Sequence, residues 1–358
     1  MTRKQIYWVA LGGLAVLLRT ILSARPDVIE QYYSRGLFLA VRWAIDHLLG
    51  WLPIPLLYLF LLGVFSWLVV HIRNGWRAAM PWKVKLVKGL GRFVAFVGGL
   101  VFFFLLLWGF NYGRLPLEHQ LGLEPQPLKL EQLKEELKYE TTLIIQLRQD
   151  IIGATDSAIT FDFLPVNLEQ DIRRALENRL AQYSFPTVGE VRGRMLYPRG
   201  IFLRFSSAGL YFPWVGEGNI DAGLHPLQIP YVMAHEMAHG YGFGDEGTCD
   251  FWAYLACAQS DDPIIAYIGH LNHWRSLAAD YRRYEPEQFK TFRQQLPIGI
   301  QSDLEAINKT LLAYPDIMPR LRYVAYDTYL KAQGISEGML NYDRATMLVY
   351  SWRKTKQI

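Results

Sequence analysis

Two histidines four residues apart, with a glutamate beside the first, are the residues of this chain best equipped for chemistry: His235-Glu236-Met237-Ala238-His239. On a helix, positions i and i+4 share a face, so both imidazoles can reach one metal ion while Glu236 reaches a water bound to it. The chemistry this predicts is hydrolysis, in which a zinc-activated water loses its proton to Glu236 and attacks a peptide carbonyl. The flanking Val232-Met233-Ala234 and Gly240-Tyr241 carry no charge, as a helix buried inside a domain requires. Pro230 sits where a first helical turn tolerates it.

A catalytic zinc needs a third protein ligand and one open position. Two acids follow closely. Asp245 completes His-Glu-Xaa-Xaa-His-Xaa-Xaa-Gly-Xaa-Xaa-Asp, with Gly242 at the turn, a spacing similar to metzincins with an acidic third ligand. Glu246, with Asp250 four residues on, resembles the gluzincin spacing, in which the glutamate binds zinc and the later acid holds the first histidine's remote nitrogen. Glu246 is the preferred ligand, Asp250 the outer partner of His235 and Asp245 the alternative ligand, with an ordinary role as N-cap of the following helix. Further on, His270, His273, Tyr326, Tyr342 and Arg344 can each donate a hydrogen bond to an oxyanion. None is singled out, and His270 and His273 read as polar residues on a helix surface.

The elements around this site are mostly helices. Apolar periodicity predicts helices over about 131–149 and 168–183 and, after Pro230, almost to the end of the chain, with the strongest candidates at 251–259, 264–284, 303–313 and 344–353; residues 193–205 and 210–221 are expected to form short strands. The segment Val215–Ile220 could be an edge strand on which an extended substrate lies. Cys249 and Cys257 are the only cysteines. Eight residues along one helix separate them by roughly 12 Å, too far for a disulfide, so they read as core residues.

The first part of the chain is different in kind. Three apolar runs, about 7–22, 53–70 and 93–110, are long enough to cross a bilayer, and the mean hydropathy of +0.06 averages them with a water-soluble remainder. Residues 1–112 therefore read as a membrane anchor, 113–130 as a Pro- and Leu-rich linker and 131–358 as a globular domain. The first run is expected to be an uncleaved helix, although Leu22-Ser23-Ala24 could pass for a cleavage site. Residues 36–50, with Arg42, Asp46 and His47, read as an interfacial helix or packed connector. Between the second and third runs, His71 to Arg92 carries basic residues and no acid, which belongs on the cytoplasmic side and sends everything beyond about Asn111 outside the cytoplasmic membrane. The net charge of +4 is largely this stretch, so membrane topology accounts for it and nucleic acid is not an expected partner.

Several segments together resemble an uncharacterised family of bacterial membrane proteins over nearly the whole chain. They are Trp108-Gly109-Phe110-Asn111-Tyr112, Tyr211-Phe212-Pro213 with Glu217-Gly218-Asn219, the pentad with Gly242-Phe243, Glu246, and Phe251 to Cys257. The resemblance implies three N-terminal membrane segments and a C-terminal zincin-like domain. It also favours Glu246, because that position is acidic in the family while that of Asp245 often is not. The chain departs from the pattern at Gly247 and Thr248, where acids are usual, and at Asp250, commonly asparagine.

The expected fold is thus a membrane-anchored α+β protein, three transmembrane helices followed by a mostly helical zincin-like metallopeptidase domain with a small sheet. The expected function is a multi-pass, outward-facing zinc metallopeptidase in the bacterial cytoplasmic membrane, with Zn2+ as cofactor and a peptide or protein as substrate. The competing expectation is an inactive zincin-fold scaffold or zinc-binding pseudoenzyme, against which the presence of Glu236 argues. A transporter is a weaker third, since no acid sits centrally in the spanning runs.

Overall fold

The computed structural model describes residues 1–356, the side chain of Tyr342 excepted. The chain divides into two units, one comprising Met1–Leu115 with Phe212–Glu217, the other Pro116–Tyr211 with Gly218 onward.

In the first unit, three helices are long and apolar enough to cross a membrane: Arg3–Leu22, Leu56–Arg77 and Trp82–Leu107. The first and third pack through glycine. A Cβ on Gly12 would lie 2.6 Å from the Gly98 carbonyl oxygen, so only a hydrogen there lets the backbones approach. The basic stretch between the last two spans is not the loop expected from its charge. Lys and Arg are good helix formers, and both helices continue through it except at Ala78–Pro81, so most of the cations ride on helix ends. The connector is also helical, a wide π-type turn over Ile29–Leu37 running into Phe38–Leu49. Arg42 is buried there, paired with Asp46 and donating to the Gly216 carbonyl. The Glu217 carboxylate accepts the Leu56 N–H, and the Trp214 indole donates to the Leu100 carbonyl at 3.2 Å.

The second unit is mostly helical around a three-stranded sheet of β1 (Gly193–Leu196), β2 (Gly209–Phe212) and β3 (Glu217–Asp221), in the order β1-β3-β2. β1 and β3 run parallel, with Gly193 opposite Gly218 and Leu196 opposite Asp221. Every residue of β3 is buried. The expected edge strand over Val215–Ile220 is therefore corrected: β3 is the central strand, and β2 holds an edge. The core gathers apolar side chains from the helices Leu130–Asp150, Leu168–Gln182, Ile229–Gly240, Glu246–Ala258, Pro263–Tyr284 and Ile298–Leu312, including Ile144, Leu176, Trp252 and Ile300. Leu117 and Leu123, in the expected linker, are buried in this same core. Two further helices in the stretch after Pro230, Pro286–Gln294 and Pro319–Ala332, each open on a proline in the first turn. His270 and His273 are buried rather than exposed. The reason is a carboxylate far away in sequence: Glu140 accepts from His270 Nδ1 at 2.8 Å and is itself buried with them.

Candidate metal centre

The pentad lies on the helix Ile229–Gly240, whose residues from Met233 to Gly240 are all buried. It ends in a Schellman turn: the Phe243 N–H bonds the Ala238 carbonyl and the Gly242 N–H bonds that of His239, with Gly242 at φ +89°. Gly242 is the residue able to take that left-handed conformation cheaply. Two residues later Asp245 caps the helix Glu246–Ala258 by accepting the Thr248 N–H at 2.7 Å. One tight turn and one cap thereby return the chain, so that Glu246, the first residue of the second helix, comes back to the histidines.

The two imidazoles are oriented by different partners. His235 Nδ1 lies 2.8 Å from Asp250 Oδ1, and His239 Nδ1 lies 2.8 Å from the Phe243 carbonyl oxygen. A carbonyl oxygen can only accept, so Nδ1 of His239 carries its proton there, and an ionised Asp250 imposes the same arrangement on His235. Both Nε2 atoms are then the ones turned inward. Glu246 Oε2 sits 3.2 Å from His235 Nε2 and 3.4 Å from His239 Nε2. The ligand atoms of His235, His239 and Glu246 all lie within 4.8 Å of one another, an arrangement that could hold a metal ion. Asp245 is not in this group. Its carboxylate takes the Thr248 cap together with Asn341 Nδ2 at 2.7 Å and Arg344 Nη1 at 3.1 Å.

The charges follow the geometry. Burial works against protonation of His235, but Asp250, with Glu246 and Glu236, outweighs it and raises its pKa well above the usual histidine value. His239 is raised by Glu246 against the same burial penalty. Burial would raise the Glu246 carboxyl, yet the two histidines hold it well below the usual range. Glu236 differs from these three in that its shift favours the neutral form. Burial, aided by the charge of Glu246, lifts Glu236 above the usual carboxylate value against the pull of both histidines and a backbone bond from Tyr211. Two glycines give Glu236 its place: a Cβ on Gly218 would lie 2.6 Å from its Cβ, and one on Gly209 would lie 2.6 Å from its Oε1.

Of the downstream hydrogen-bond donors, Tyr326 reaches the site, its hydroxyl 2.8 Å from Glu246 Oε1. Arg344 instead holds Asp245 and Glu118, His270 belongs to the Glu140 cluster, and the Tyr342 side chain lies outside the described residues. The sequence reading missed Asn341, which accepts the Gly247 N–H at 3.0 Å while donating to Asp245. It also missed the Phe243 carbonyl, whose only advance signal is the glycine turn that exposes it. Gly247 has a steric reason for being glycine, since a Cβ there would lie 2.7 Å from the Asn341 carbonyl oxygen.

A family model described as a protein of unknown function (DUF3810) matches residues 33–350. The chain belongs to that family. The matched span starts after the first apolar helix and takes in the other two, the sheet and the whole histidine–glutamate cluster. No curated protein and no solved structure matches the chain. The DUF3810 assignment therefore brings no activity with it, and the chemistry has to be argued from the site itself.

Proposed function

We propose that this DUF3810 protein is a membrane-bound zinc metallopeptidase of gluzincin-like design. The observation that carries the reading is the convergence of His235 Nε2, His239 Nε2 and Glu246 Oε2 in a buried site, with Glu236 on the same helix. Ligand atoms about 2.0–2.2 Å from a tetrahedral centre are spaced about 3.3–3.6 Å apart, and the two separations from Oε2, 3.2 and 3.4 Å, are close to that. Two imidazoles and one carboxylate are also the donor set of a catalytic rather than a closed structural zinc. The turn between two helices, the small sheet beside them and the Glu246/Asp250 pair support a zincin-like fold for the second unit.

Zinc held by these three residues would supply Lewis acidity, acidifying a water and polarising a peptide carbonyl. The chain's own residues do the rest. Glu236, on the same helix as both histidines, takes the proton of the attacking water and hands it to the leaving amine. Asp250 and the Phe243 carbonyl fix the histidine tautomers, so no reorientation is needed on binding. The basic residues of His71–Arg92 support a cytoplasmic position for the turn at Ala78–Pro81, and hence an extracytoplasmic second unit acting on peptide or protein substrates.

The alternative is an inactive zincin-fold scaffold that keeps the metal. One observation favours it: Glu236 is only 5% exposed and lies against β2 and β3. One set of purified full-length variants in detergent separates the readings. The native chain is expected to carry equimolar zinc, Glu246→Ala to lose it and Asp245→Ala to keep it. Glu236→Gln is expected to keep zinc and lose hydrolysis of a peptide library. Zinc that survives Glu246→Ala and vanishes with Asp245→Ala would falsify the ligand set, and a native zinc-loaded chain that cleaves nothing points to the scaffold.

A further inference from the structure

The partners named so far account for both histidines but for only one oxygen of Glu246. Oε2 faces the two Nε2 atoms, while Oε1 accepts the Tyr326 hydroxyl at 2.8 Å. We propose that Tyr326 is the positioning residue of the third ligand, fixing Glu246 so that it offers a metal Oε2 alone. This rests on the metal-site reading above.

A ligating carboxylate can bind through one oxygen or two, and its choice is set by what holds the other oxygen. Glu246 has the freedom to make that choice, because it stands at the first position of its helix with its side chain beyond the N-terminus. A hydrogen bond from a hydroxyl to an ionised carboxylate is stronger than one between neutral groups. Without it, a buried Oε1 would lack its acceptor bond, and the carboxylate would swing to use both oxygens on the metal or turn away from it. Asp250 does the equivalent for His235, and the Phe243 carbonyl does it for His239. Tyr326 thus completes a set in which each ligand is held from outside the cluster, and of the partners named here it comes from farthest along the chain.

The helix that brings it, Pro319–Ala332, buries only Leu330. Its neighbours on the chain secure it through Arg322 with Asp316 at 2.9 Å and through Asp327, which accepts the Met339 N–H at 3.0 Å. Its contact with Glu246 is therefore a specific polar one, not a by-product of core packing. Tyr329, one turn further on, stacks on Tyr326 with ring centroids 6.1 Å apart and provides a matched control.

The test uses the full-length chain in detergent and two readouts, zinc affinity by chelator competition and the visible absorption of the Co2+-substituted protein. Tyr326→Phe removes the hydroxyl and keeps the ring. It is expected to weaken zinc about ten-fold or more, the usual effect of losing an outer partner, and to alter the Co2+ bands as Glu246 changes its mode of binding. Tyr329→Phe is expected to leave both unchanged. Should Tyr326→Phe match the native chain in affinity and spectrum, the positioning role is overturned while the metal site stands. Should the native chain bind neither metal, the metal-site reading falls and takes this role with it.

Discussion

The second unit holds two buried clusters built from the same residue types, two histidines on one helix facing a glutamate from another, and among the described residues only one of them brings its ligand atoms together so that it could hold a metal ion. His235, His239 and Glu246 have both Nδ1 atoms engaged by acceptors, both Nε2 atoms directed at one carboxylate oxygen, and no arginine pairing with that carboxylate among the described residues. His270, His273 and Glu140 are arranged otherwise. Glu140 pairs with the Arg353 guanidinium, which also engages Glu136 and the Tyr254 hydroxyl, and His273 lies against the Tyr254 ring at 4.8 Å. Its charge is already neutralised, and its donors are spent on locking the C-terminal helix Arg344–Lys356 to the helices Leu130–Asp150 and Pro263–Tyr284. Composition is alike in the two clusters, and spacings of four and three residues both put two histidines on one helix face, so neither distinguishes a candidate metal site from a clasp. What distinguishes them is where the nitrogen lone pairs point and whether a fixed cation has taken the carboxylate first.

The largest effect expected to separate the clusters is on stability. Arg353→Leu leaves Glu140 buried without its guanidinium, a loss of about 3–5 kcal/mol, read as a lowered denaturation midpoint of the full chain. Zinc content of the protein that remains folded is expected not to change. If Arg353→Leu also strips the zinc, the clasp and the metal centre are one coupled network and the contrast fails. The reverse experiment follows. Free zinc at about a hundred-fold excess over its Kd should stabilise the native chain by about 2.7 kcal/mol, and His239→Ala should abolish that increment while leaving Arg353 and its partners in place. A zinc-induced rise in midpoint that persists in His239→Ala would mean the metal binds elsewhere.

How much of this was legible beforehand depends on how far apart in sequence the partners lie. The motif helix and the start of the ligand helix could be read from uncharged flanks, Pro230, Gly242 and Asp245, because each of those acts within a turn of its own position. The three apolar helices were legible from hydropathy, although their ends were not, since Lys and Arg prolong a helix as readily as they mark a loop. The other failures are long-range. His270 and His273 read as surface residues because Glu140, which buries them, lies 130 residues from His270. The helix Pro319–Ala332 lies in the stretch expected to be helical, but nothing near Tyr326 in sequence marks it as the residue that turns to Glu246, 80 positions away, while Leu321 and Val324 stay exposed. β3 reads as an edge strand for an extended substrate because it lies just before the motif helix, whereas pairing with both β1 and β2 makes it central.

The clasp also predicts how stability changes with pH. Burial would raise the Glu140 carboxyl, but the His270 hydrogen bond and the charges of His273, His270 and Arg353 bring it down to about 2. Burial pushes His273 down to about 3, against the pull of Glu140, so above that pH the standing charge beside Glu140 is the Arg353 guanidinium. For His273 the unfolded chain takes up a proton below its ordinary value of 6.5, while the folded chain does not until about 3, so stability falls with pH across that window. For Glu140 the contribution is complete above 4.5 and is lost as pH drops toward 2, the same sign. Each group can contribute a slope of at most about 1.4 kcal/mol per pH unit. Denaturation midpoints followed from pH 7 down to 4 should therefore decline in the native chain, and the decline between 6.5 and 5 should be shallower in His273→Gln. A decline between 6.5 and 5 that is equally steep in the native chain and in His273→Gln would mean His273 is not held neutral by burial.

The smallest expected effect bears on the residue that most resembles a ligand without being placed as one. Asp245 precedes Glu246, carries the same charge and completes a recognisable metal spacing, yet its oxygens are occupied by the Thr248 N–H, Asn341 and Arg344. A capping carboxylate is worth typically about 1 kcal/mol, so Asp245→Ala should lower the denaturation midpoint modestly and leave zinc stoichiometry intact. Asp245→Asn sharpens the test, because asparagine caps a helix about as well as aspartate but is a poor zinc ligand. Near-native stability with full zinc in Asp245→Asn makes the residue a cap. Near-native stability with zinc lost would transfer the third ligand from Glu246 to Asp245, and the tight turn ending at Gly242 would then be serving a different metal geometry from the one its hydrogen bonds describe.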